Sequence, residues 1–175
     1  MIGNDIVDLN LAQVQSDWRR KGFLEKVFTP KEQGMILESS GPDVVVWRLW
    51  SMKESAYKAR LRVHQRIQIN PRAFECQLLS DNMGIITCEE QVYLSFSQIT
   101  DKYIYSQAYK ERYEAELYSQ VIDIAGDQNA SKEIYFKAIS SIAEQLDWEE
   151  NTMRLDKNSL GIPELYRRGS LTNVL

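Results

Sequence analysis

Residues 43–63 read DVVVWRLWSMKESAYKARLRV, and this stretch decides the fold. Val45, Leu49, Met52, Ala56, Ala59 and Val63 recur at alternating spacings of four and three, which predicts one long amphipathic helix. Asp43 is placed to cap it, after the helix-breaking pair Gly41–Pro42. On the opposite face, Glu54 lies about 180° from the centre of the apolar stripe, at about 100° per residue. Lys58 follows one turn later, and Trp47 and Trp50 precede on the same side. Two tryptophans on that side mean that protein or ligand covers it too.

Two readings of Glu54 and Lys58 stand side by side. A Glu four residues before a Lys is a common surface pair, worth about 0.2–0.5 kcal/mol. It also suits a metal-and-phosphate site, where a carboxylate holds a hard divalent cation and a lysine offsets phosphate charge. One carboxylate holds Mg²⁺ poorly, so a second has to come from elsewhere. The opening MIGNDIVDL carries Asp5 and Asp8 in a short apolar run that reads as a strand over 2–9. Asp8 also reads as an acid at the start of a helix.

Working outward, a helix is expected over 10–27, with Leu11, Val14, Trp18 and Leu24 among its apolar positions. TPKE at 29–32 has the form of a capping box, with Pro30 at the first helical position. After the long helix, RIQINP, AFECQLL, GIITCEE, VYLSFSQ and YIYSQAY read as closely spaced strands, which suggests an antiparallel sheet. From Lys110 the pattern turns helical through YEAELYSQVIDI. A second amphipathic helix, KEIYFKAISSIAEQL, follows GDQNAS; TMRLD is a strand candidate and KNSLGIP a turn. The expected class is α+β, an antiparallel sheet packed on a long helix. The expected lobe is 1–110, with 111–175 a helical extension or the start of a second, incomplete lobe.

The chain has 175 residues and a net charge of −4, with an isoelectric point near 5.2. This balance argues against nucleic acid as a partner. Two cysteines, no basic-then-apolar leader and no long apolar run predict a cytoplasmic protein that does not enter a membrane. His64 is the only histidine and sits at a helix end, with no hydroxyl nucleophile motif to serve.

WSMKESAYK (50–58) resembles the W-[SA]-x-K-E-[SA]-x-x-K signature of 4′-phosphopantetheinyl transferases. IGNDIVDL (2–9) resembles their upstream metal motif, G-x-D-[IV], and FLEKVFTPKE (23–32) looks like the F-[ST]-x-x-E stretch between the two. The resemblance implies transfer of phosphopantetheine from coenzyme A to a serine of an acyl- or peptidyl-carrier protein, releasing 3′,5′-adenosine bisphosphate. It implies Asp5 and Glu54 as Mg²⁺ ligands and Glu54 and Lys58 as catalytic residues. Lys58 would contact the coenzyme A phosphates, with Lys53 as the other motif lysine beside the same substrate. Either Glu54 or a Mg²⁺-bound water would take the serine proton. The oligomeric state stays open between monomer and trimer. The basic runs DWRRKG and the arginines near 60–66 are candidate docking points for an acidic carrier.

The chain departs from the pattern at several places, mildly at Asn4, which replaces the apolar or small residue usual before the metal aspartate. Val7 stands where two-lobed members carry a second acid, and Asp8 takes the place of a glutamate in the small type. The family's S-x-S-H stretch is absent. LDKNSLGIPEL (155–165) resembles the G-[KR]-P stretch that precedes it, with Ile162 for the basic residue, and equally reads as an ordinary turn. A shortened chain is the expectation. The other readings are a pocket completed by another chain, or a non-catalytic carrier-binding or scaffold protein that has lost coenzyme A binding. An unrelated Mg²⁺-dependent phosphate enzyme is disfavoured by three motifs in order.

Overall fold

The computed structural model describes residues 2–65, 70–110, 119–122 and 130–172. The chain divides into two compact units, Met1–Glu114 and Ala115–Leu175.

The first unit is built on the long helix. β1 (Ile2–Asp8) leads into α1 (Leu9–Gln15), α2 (Phe23–Val27), α3 (Pro30–Leu37) and the 23-residue α4 (Pro42–His64). A meander follows: β2 (Glu75–Leu78), β3 (Met83–Cys88), β4 (Gln91–Ile99) and β5 (Tyr103–Lys110). The five strands form an antiparallel sheet in the order β1-β5-β4-β3-β2, so the first strand closes the sheet beside the last. Pairing with β5 secures an N-terminal segment that would otherwise fray.

Alternation along the strands directs one face to α4. Gly3, Asp5 and Val7 share that face of β1, opposite Ala108, Ser106 and Ile104 of β5. Against it α4 buries Leu49, Met52, Ala56 and Ala59 completely, as the stripe predicts. Each fully buried large apolar side chain is worth about 1.5–3 kcal/mol. The stripe runs short at its end, where Val63 is 46% exposed. Val46 and Trp47 are buried on other sides of the helix, and Trp47 meets the Phe23 ring edge-on. So α4 is covered on more than one face, as its tryptophans require.

Two local readings change. Residues 10–27 form two short helices rather than one. α1 ends at Gln15, with Ser16 as its C-cap, and α2 starts after Gly22, whose φ of 83° is left-handed. Leu11 and Val14 are exposed there. Asp43 does not cap α4, which starts at Pro42 after Gly41. Asp43 instead accepts from Trp18 Nε1 at 2.8 Å and from both Nη atoms of Arg19 at 2.9 Å. The Arg19 and Trp18 donors hold its carboxyl down to about 2. The Thr29–Glu32 capping box forms as read, with Pro30 opening α3. RIQINP falls partly on residues outside those described, and its last residue, Pro71, begins a 3₁₀ turn through Ala73.

The second unit contains α5 (Ala130–Leu146) and three antiparallel strands, β6 (Met153–Lys157), β7 (Pro163–Arg167) and β8 (Ser170–Leu171). Its small core is Ala143, Met153 and Leu165. It holds strands as well as the helix that was expected. Residues 158–162 form the β6–β7 turn: Asn158 Oδ1 accepts from the N–H groups of Leu160 and Ile162, and Gly161 adopts φ of 74°. Most of YEAELYSQVIDI lies outside the described residues. No helix among the described residues is long and apolar enough to cross a membrane.

Candidate active site

β1 lies so close to α4 that its backbone rests on the helix backbone. The helix surface is low there because Ser51, Ser55 and Ala59 are small, and all three are fully buried. Ser51 Oγ donates to the Asp5 carbonyl oxygen at 3.2 Å, tying strand to helix at the first acid. Asp5 then projects along the same face as Gly3, toward the turn of α4 that carries Glu54 and Lys58.

The structure brings three of the expected site residues together. Lys58 Nζ lies 2.7 Å from Asp5 Oδ1, with the lysine side chain 46% exposed and the aspartate 14%. Burial holds the Glu54 carboxyl above its ordinary range, the Asp5 charge pushes it further up, and Lys58 partly opposes both. Two carboxylates thus share a partly dry place with one ammonium, so their negative charge is only part-compensated. That arrangement favours an added cation. Mg²⁺ takes one or two protein carboxylates and completes its shell with waters and substrate phosphate oxygens. Asp5 and Glu54 fit that donor set. Among the described residues no group of three or more His, Cys, Asp or Glu forms a closed cage.

Lys53 does not join them. It is 1% exposed and pairs at 2.8 Å with Glu32, which is 0% exposed. Its Nζ also donates to the carbonyls of Pro71 and Phe74. Glu32 in turn accepts from the N–H groups of Thr29 and Cys76, each at 2.7 Å. The pair therefore fastens α3 and α4 to the start of β2. Lys53, expected beside coenzyme A, has its ammonium enclosed and shared among protein partners.

Asp8 caps α1, its Oδ1 accepting from Leu11 N–H at 3.0 Å, as the helix-start reading has it. Val7, in place of a second acid, packs against the core. His64 stands at the far end of α4, 3.0 Å from the Gln91 amide. Among the basic candidates, Arg19 is engaged by Asp43, Arg20 lies over the Phe23 ring, and Arg60 pairs with Glu89 at 2.8 Å. Arg66 lies outside the described residues. Gly3 and Ser51 stand in the two motifs, and the structure adds that they seat the strand on the helix. Small residues at 51, 55 and 59, four apart, with a glycine two residues before the acid, were the available signal.

Residues 1–116 of the 175 match the family described as the 4′-phosphopantetheinyl transferase superfamily. The chain belongs to that superfamily. Its fold is similar to two solved holo-[acyl-carrier-protein] synthases. One, from Helicobacter pylori and in complex with coenzyme A, is 16% identical, with a TM-score of 0.51 over 63% of this chain and 100% of that one. The other, from Neisseria meningitidis, is 15% identical, with a TM-score of 0.52 over 63% of this chain and 97% of that one. No curated protein matches the chain in sequence.

Proposed function

We propose that this chain is a holo-[acyl-carrier-protein] synthase, or 4′-phosphopantetheinyl transferase. It transfers 4′-phosphopantetheine from coenzyme A to a serine hydroxyl of an acyl- or peptidyl-carrier protein, as in fatty acid biosynthesis. The observation that carries the reading is the meeting of Asp5, Glu54 and Lys58 at the β1–α4 contact of a chain in this superfamily. The transferase lobe is 1–110, and 111–175 is an added unit. The cytoplasm, where coenzyme A and carrier proteins meet, is its place of action.

The chemistry follows from the groups present. The serine oxygen attacks the phosphorus that bears the pantetheine. A new P–O bond forms, the phosphoanhydride bond breaks, and 3′,5′-adenosine bisphosphate leaves. A serine hydroxyl is a weak nucleophile at neutral pH, so its proton needs an acceptor. Glu54, or a water beside it, takes that proton; burial and the Asp5 charge raise the Glu54 carboxyl in the metal-free site, and Lys58 partly opposes them. Asp5 and Glu54 would hold Mg²⁺, which supplies positive charge against the pyrophosphate. Lys58, with an ammonium that reaches solvent, turns to the coenzyme A phosphates. Lys53 acts from within the frame and does not touch the substrate.

The test is incubation of the protein with coenzyme A, Mg²⁺ and a panel of apo carrier proteins, followed by intact mass. The expected result is a gain equal to one phosphopantetheine on at least one carrier, abolished by chelation. Carriers that bind without any mass gain would replace this reading with that of a carrier-binding protein.

A further inference from the structure

We infer that Gly3 is a positioning residue for the carboxylate pair, because it sets the depth at which β1 seats on α4 and hence the reach from Asp5 to Glu54. The inference rests on the reading of that pair as a metal-holding one. A Cβ built on Gly3 falls 2.2 Å from the Ser55 carbonyl oxygen and 2.4 Å from the Ala59 nitrogen. Both are backbone atoms in the middle of a helix, and neither can move aside as a side chain does. Ordinary contact begins at 3.4 Å, so a side chain here must lift the strand by about 1 Å.

Asp5 is two residues along on the same face, and Ser51 Oγ holds its carbonyl at 3.2 Å. Lifting Gly3 therefore draws Asp5 away from Glu54 and stretches that bond. Displacements of about 1 Å are enough to cost a site about a hundredfold in function. Gly84, on β3, makes a matched contrast. Its Cβ would meet Met52 Cε, the tip of a flexible side chain, at 2.5 Å, and the Gln77 carbonyl oxygen at 3.0 Å. Crowding at Gly84 loads the same helix from the sheet without touching β1.

The experiment measures Mn²⁺ binding to the whole chain by loss of the free-ion electron paramagnetic resonance signal, with thermal unfolding alongside. Gly3→Ala is expected to weaken Mn²⁺ binding by about tenfold or more, and Gly84→Ala by less than about twofold. A folded Gly3→Ala with wild-type affinity overturns the inference, as does equal weakening in Gly84→Ala. If Gly3→Ala does not fold, Ser51→Ala decides, since it releases the Asp5 carbonyl without adding bulk. Weakening by about threefold is then expected, and wild-type affinity refutes the positioning. A wild-type chain that takes up no Mn²⁺ overturns the metal pair itself, and the inference with it.

Discussion

Lys53 and Lys58 lie five positions apart on α4, and each meets a carboxylate, at 2.8 and 2.7 Å. Lys53 is enclosed with Glu32, and every partner it uses belongs to the protein's own frame. Lys58 meets Asp5 at the sheet edge with nearly half its surface in water. An enclosed ammonium with a full set of partners cannot leave them without stranding a charge. An exposed one exchanges partners at little cost. The difference gives Lys53 a place in the frame and, under the proposed function, leaves Lys58 able to meet a ligand, although the signature WSMKESAYK contains both.

Substitution of each lysine separates the two roles. Lys53→Met is expected to lower stability by about 3–5 kcal/mol in urea unfolding, because Glu32 is left buried and charged. Combining it with Glu32→Gln should recover a large part of that loss, and strict additivity would break the assignment. Lys58→Met should change stability by less than about 1 kcal/mol. Transfer by Lys58→Met should fall about a hundredfold, read as initial rate at saturating carrier. A Lys58→Met chain that unfolds as readily as Lys53→Met would erase the contrast.

Smaller effects sharpen it. Asp8→Ala removes a helix cap and should cost about 1 kcal/mol while leaving transfer near normal. Glu54→Gln should raise the melting temperature of the metal-free chain at pH 7, because the native site disfavours the charged carboxylate. The sign follows from the raised native pKa. The unfolded Glu54 ionises first as pH rises, so the penalty is full above the native pKa and absent below the unfolded one. The gain from Glu54→Gln should therefore fade as pH falls toward 4. A gain that grew with acid would mean that Glu54 is stabilised as an anion.

Much of this frame was legible in the sequence because its signals are local. The Thr29–Pro30–Glu32 cap, the alternation in the strands and the Leu49–Met52–Ala56–Ala59 stripe each need only a few neighbouring residues. What escaped depends on distant chain. Glu32 reads as a cap, and its Oε2 does take the Thr29 N–H. Its Oε1 meets Lys53 and the Cys76 N–H, 21 and 44 residues away, which local spacing cannot show. Asp43 reads as a cap too, yet Trp18 and Arg19 capture it from an earlier loop. Helical periodicity puts Lys53 and Lys58 on the same amphipathic helix; only the packing of α3 and β2 reveals that one is sealed in. Asp5 could be picked out by type and spacing, whereas the seat that aims it required seeing Gly3 against the α4 backbone.

The most direct measurement is the time course of mass gain on an apo carrier with coenzyme A, over a series of Mg²⁺ concentrations. It compares the wild-type chain with Glu54→Ala, both shown to be folded by circular dichroism. The wild type is expected to modify the carrier in proportion to bound Mg²⁺, and Glu54→Ala to give no gain at any concentration. Modification by Glu54→Ala at the wild-type rate would contradict the site at its centre.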